Sequence, residues 1–186
     1  MDDQMQMRVA VVVVAALVAI AVWLLMRWRK TAALRTRFGP EYDRLLQSTK
    51  TPAEAERELL ERERRVKSFS LRSLSREEAE QFAQSWRTVQ GRFVDDPRTA
   101  VNEADRLIED VMRARGYPVE DSAHRLDDLS VEHAAVVNHY RSGRDIVVRH
   151  GRGEASTEDL RKAMVHFRAL FDELVGAHRS DVRRAS

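Results

Sequence analysis

Residues 9–26 read VAVVVVAALVAIAVWLLM, 18 apolar positions without a break. At ~1.5 Å per residue a helix of that length spans ~27 Å, close to the ~30 Å hydrocarbon core of a bilayer. Eleven of the side chains are Val, Leu or Ile, so insertion of the segment gains about 3–6 kcal/mol before its flanks are counted. A cleaved signal peptide needs a basic start, a shorter apolar stretch and small residues at the cleavage site. Here Asp2 and Asp3 precede the run, and Trp23 to Lys30 offers bulky and basic residues instead of small ones. A core helix of a soluble domain would carry a polar face for solvent, and this run has none. The reading is a single transmembrane helix.

Its flanks give it a direction. Arg8 stands alone before it, whereas Arg27, Arg29, Lys30, Arg35 and Arg37 follow it. The positive-inside rule therefore places everything after the helix in the cytoplasm. Trp23, Arg27, Trp28, Arg29 and Lys30 form the expected membrane-anchor flank, the tryptophans suiting the interfacial belt. The same cations can attract anionic headgroups, although setting topology suffices to explain them.

Working outward, the chain divides into a short extracytoplasmic segment (1–8), the membrane helix (9–26), a basic juxtamembrane and charged helical linker (27–70), a helical bundle (71–176) and a flexible tail (177–186). A length of 186 residues allows one membrane segment and one ordinary domain. Thirty-two basic residues against thirty acidic ones leave a net charge of +2. The two signs are interspersed, so no nucleic acid is expected as a partner even with a sequence pI of 9.2. The absence of cysteine excludes disulfides, thiol nucleophiles and thiolate metal sites.

Helical signals recur along the soluble part. Gly39-Pro40 punctuates the chain, and a short helix over 41–47 would set Tyr42, Leu45 and Leu46 on one side. Thr51, Pro52 and Glu54 read as a capped helix start. The helix that follows is highly charged, with Glu58–Arg62 and Glu61–Arg65 pairs and a thin stripe of Ala55, Leu59, Leu60 and Val66, which reads as a solvated spacer. Ser75 and Glu78 cap the next helix, whose apolar face is Phe82, Trp86, Val89 and Phe93. Asp96-Pro97 starts another, with Val101, Ala104, Leu107, Ile108, Val111 and Met112 inward, closed by Arg115-Gly116-Tyr117-Pro118. These two helices are expected to form an antiparallel hairpin. A short helix over 120–129 is followed by a longer one capped by Ser130 and carrying Val136, Val137, Tyr140, Gly143 and Val147. Ile146-Val147-Val148 is open to strand, but helix is preferred for want of a partner strand. After Gly151-Arg152-Gly153, Ser156 caps the clearest helix, with Leu160, Ala163, Met164, Phe167, Leu170, Phe171 and Leu174 at helical spacing and Gly176 as its end. The fold class is all-α: one transmembrane helix followed by a small antiparallel bundle.

Through Phe38-Gly39-Pro40-Glu41-Tyr42, Phe93-Val94-Asp95-Asp96-Pro97, Arg115-Gly116-Tyr117-Pro118 and Gly153-Glu154-Ala155-Ser156-Thr157-Glu158-Asp159-Leu160, the sequence resembles a group of uncharacterised bacterial proteins with one N-terminal membrane helix. The resemblance spans nearly all of the soluble part and implies a bacterial source and the same layout. It carries over no activity and no binding residues.

Chemistry is sparse. His133 and His139 are six apart on different sides of a helix, and His124, His150, His166 and His178 lack the i, i+4 partners of a helical metal site, so no metal is expected. Asp95-Asp96 and Asp127-Asp128 sit at helix boundaries, where carboxylates cap amides and complement the dipole. Gly151-Arg152-Gly153 lacks the strand and lysine of a phosphate-binding loop, and no cofactor is expected. No catalytic motif is found. Trp86 reads as core, or else as part of a groove for a partner's amphipathic helix. The expected function is a membrane-tethered helical protein-interaction module. The alternative is an enzyme or small-ligand sensor with a site assembled from Asp95, His133, His139 and Tyr140.

Overall fold

The structure is a computed structural model that describes residues 2–119 and 124–184. Among the described residues every regular element is a helix: α1 (Asp2–Phe38), α2 (Pro40–Ser48), α3 (Pro52–Lys67), α4 (Arg76–Arg92), α5 (Pro97–Ala114), α6 (Arg125–Glu132), α7 (Ala134–Gly151) and α8 (Thr157–Arg184). The all-α reading holds. The chain forms two compact units, Met1–Glu56 and Arg57–Ser186, with the boundary inside α3.

In the first unit α1 runs without interruption from the apolar run through the basic stretch to Phe38. Within Val12–Phe38 its most apolar window has a mean hydropathy of 2.0 and no buried share, so the helix is long and apolar enough to cross a membrane. Leu17, Val18, Ile20, Trp23, Leu24 and Leu25 are all exposed. Each such side chain gains about 1.5–3 kcal/mol by leaving water. A continuous apolar sleeve of this size calls for an apolar environment. Gly39 ends α1 at φ 47°, and Pro40 occupies the first turn of α2. Leu34, Phe38, Tyr42 and Leu45 are buried together with Ala55, while Thr31 donates to Glu56 at 2.6 Å. Arg35 pairs with Asp43 at 3.0 Å.

The second unit takes in most of α3, whose part in the fold differs from that of a solvated spacer. Leu59 and Val66 are buried, and so is Arg62. Arg62 bonds Glu58 and lies 2.9 Å from Asp127. Arg65 reaches Asp128 at 2.6 Å instead of Glu61, which pairs with Arg57. The Asp127-Asp128 pair therefore serves to bind α6 to α3. The compact unit begins at Arg57.

Helices α4 and α5 form the expected hairpin about residues 93–96. Ser75 and Glu78 make a complete capping box, and Asp96 accepts from the Thr99 amide at 3.1 Å. Trp86 and Val89 of α4 meet Val101, Ala104, Ile108, Val111 and Met112 of α5 in one core. At the end of α5 the Tyr117 amide bonds the Met112 carbonyl and the Gly116 amide bonds that of Arg113. This is the hydrogen-bond pair of a Schellman turn, with Gly116 at φ 89°. Helix α8 is the centre of the unit and packs against α7, α5 and α4. Its stripe of Leu160, Ala163, Met164, Phe167, Leu170, Phe171 and Leu174 is buried throughout, and Ser156 caps it with Asp159 reaching back.

Two boundaries depart from the sequence reading. Ser130 lies inside α6, where its hydroxyl donates to the Asp127 carbonyl at 2.6 Å and does not cap a helix; the break falls at His133. The start of the helix expected over 120–129 lies outside the described residues. Ile146, Val147 and Val148 are helical within α7, as the want of a partner strand led one to expect. Gly176 does not end α8, which continues to Arg184. A glycine in helical backbone costs only about 1 kcal/mol against alanine, so without a left-handed cap the helix runs on.

Candidate functional site

The residues expected to flank a membrane segment lie on α1. Trp23 and Trp28 are exposed, and the Arg27 guanidinium sits 5.5 Å from the Trp23 ring centroid. Arg27, Arg29 and Lys30 are exposed as well.

The residues of the alternative reading take separate partners. Asp95 stays on the exposed α4–α5 turn. Tyr140 is buried and donates to Asp105 at 2.7 Å. Burial, then the Asp105 carboxylate, pushes its phenol well above the usual range. Asp105 is itself pushed up by burial. His133 is buried at the α6–α7 break, with Nε2 3.3 Å from Arg115 Nη1 and Nδ1 3.3 Å from Glu173 Oε1. A guanidinium can only donate, so Nε2 accepts and the ring proton sits on Nδ1, facing Glu173. Burial and the Arg115 charge push the imidazole down, which keeps this neutral relay in place at neutral pH. Tyr117 donates to Glu132 at 2.9 Å beside it. His139 faces His166 on α8. These contacts tie helices to one another.

An open cleft of about 740 Å³ runs between α4 and α8. Ala79, Ala83, Phe171, Val175 and Gly176 supply its apolar part, and Arg76, Glu80, Arg87, Arg168 and Asp172 line it with charge. Trp86 forms the layer beneath: it is buried and stacks on Phe171 with centroids 4.7 Å apart. Arg168 lies over both rings at 5.5 and 5.9 Å and pairs with Asp172 at 2.7 Å. Arg76 pairs with Glu80 at 2.9 Å. Arg87 makes no ion pair among the described residues and is exposed. The core reading of Trp86 therefore holds, and the groove lies on the neighbouring face of α4. A smaller depression further round α4 is lined by Glu77, Glu80, Gln81, Ala83, Gln84 and Arg87. Neither is lined by Asp95, His133, His139 or Tyr140.

Sequence reading had no means to find the cleft. Ala79 and Ala83 are four apart, a spacing that marks a shared helical face, but only the approach of α8 makes that face a wall. No family model, curated protein or solved structure matches this chain.

Proposed function

We propose that the chain is a single-pass protein of a bacterial inner membrane whose second unit faces the cytoplasm and serves as a protein-interaction module. The observation that carries this reading is the α4–α8 cleft. Its small residues Ala79, Ala83 and Gly176 leave room for close backbone approach, and Phe171 and Val175 supply apolar contact. The charges define the occupant. Arg76 and Arg168 are already neutralised by Glu80 and Asp172, which leaves Arg87 to receive an acidic side chain. The partner is an amphipathic helix of another protein, with a small apolar face and a carboxylate set to meet Arg87. Sidedness is supported by the five cations that follow the apolar run against one before it.

Photo-crosslinking in membranes from Ala83 and Val175 tests the cleft. A reproducible protein adduct from both positions is expected, weakened by Arg87→Glu and absent when the probe is moved to exposed Asp110 on α5. Adducts of equal yield from Asp110, or none above background from the cleft, would overturn the docking surface. A reporter fused after Ser186 that is active only outside the cytoplasm would overturn the orientation.

A further inference from the structure

We propose that His139 and His166 form a two-imidazole site for a divalent transition cation of the zinc or copper class. The two residues stand 27 positions apart on α7 and α8, and the structure brings their Nδ1 atoms to 3.1 Å. Their ring centroids are 5.4 Å apart and their planes inclined by 35°. Two imidazole nitrogens each ~2.0–2.1 Å from one ion and 3.1 Å from each other subtend ~95–100° at it. That angle lies between cis-octahedral and tetrahedral values.

The surroundings suit a bound ion. His139 is exposed and His166 half-buried, so an ion reaches the pair from solvent while one ring stays held by the helix packing. Behind the pair, the α7–α8 contact is closed by Gly143, where a Cβ would meet the Phe167 ring at 2.6 Å. This tight approach fixes the helix separation and with it the nitrogen spacing. Because the chain has no cysteine, imidazole is its softest strong donor, and imidazole favours zinc, copper and nickel over magnesium or calcium. Among the described residues no third His, Asp or Glu joins the pair. Water or a partner's side chain completes the coordination sphere.

The test uses the full, untagged chain in detergent micelles, titrated with Zn²⁺ and separately with Cu²⁺ against a chromophoric chelator. Saturable binding at one equivalent is expected, weakened by about tenfold or more in His139→Gln and in His166→Gln. His150→Gln, on the last turn of α7 and engaged with the Ala155 carbonyl instead of the pair, should bind as the parent does. Circular dichroism checks that each variant keeps its helical content. Should His166→Gln lose its fold, exposed His139→Gln alone carries the comparison. No saturable binding, or equal affinity in His139→Gln, would show that the pair is only an N–H···N hydrogen bond and would overturn the site.

Discussion

Gly116 shows how much one atom can decide. Its φ of 89° belongs to the left-handed region, and an added Cβ would lie 2.4 Å from the Ser70 carbonyl oxygen, a backbone atom that cannot swing aside. The Schellman turn it closes also positions Arg115, whose carbonyl accepts from the Arg72 amide at 3.0 Å. Gly116→Ala should therefore lower stability by about 2–4 kcal/mol, from backbone strain and displacement of residues 70–72 together. Chemical denaturation of the variant against the parent measures it, and a loss below about 0.5 kcal/mol would contradict the close approach. The cap was legible in Arg115-Gly116-Tyr117-Pro118. Its clash with Ser70 was not, because that contact joins segments more than 40 residues apart. His133 is a similar case: nothing beside it in the chain marks it as buried, while Arg115 and Glu173 make it a buried relay at the α6–α7 break.

At the scale of elements, helix ends were largely readable because caps are local chemistry. Ser75 and Glu78 make the box that their three-residue spacing implies. Arg72 bonds the same Glu78 carboxylate at 2.7 and 2.8 Å. First through Arg72 and then through the Ser75 amide, Glu78 is held down to about 2 against an ordinary 4.5. A carboxylate with a depressed folded-state value stabilises above its unfolded value and loses that contribution as pH falls through the folded one. The Tm difference between the parent and Glu78→Gln should thus be full above pH 4.5 and fade toward pH 2. A difference that stays constant over that window would contradict the linkage. Helix α8 gives the opposite lesson, since a C-terminal glycine signal at Gly176 did not stop it. Nothing lies within 4 Å of a Cβ there and its backbone is not left-handed. Gly176→Ala should raise stability by about 0.5–1 kcal/mol in thermal or chemical unfolding, whereas a left-handed cap would make the same change destabilising.

For the whole molecule, the division at Glu56/Arg57 separates a unit that contains the apolar-surfaced α1 from a unit with its own large core. The buried core cluster runs from Leu74 to Leu174, with partly buried residues between Phe69 and Val175 packed against it, and none of these comes from the first unit. A fragment comprising residues 57–186 is expected to be soluble without detergent, helical by circular dichroism and cooperative in thermal unfolding. Aggregation, or a melt without a cooperative transition, would show that the unit depends on what precedes it. By itself the sequence determined the membrane-length apolar run, the all-helical class, the buried stripes of α5 and α8 and most caps, because each rests on spacing within a few residues. The tertiary structure alone decided that α3 joins the domain through Arg62 and Arg65, that α4 and α8 leave a cleft, and that His139 meets His166. Those features depend on which helix faces approach across the fold, and periodicity along one helix carries no record of its neighbour.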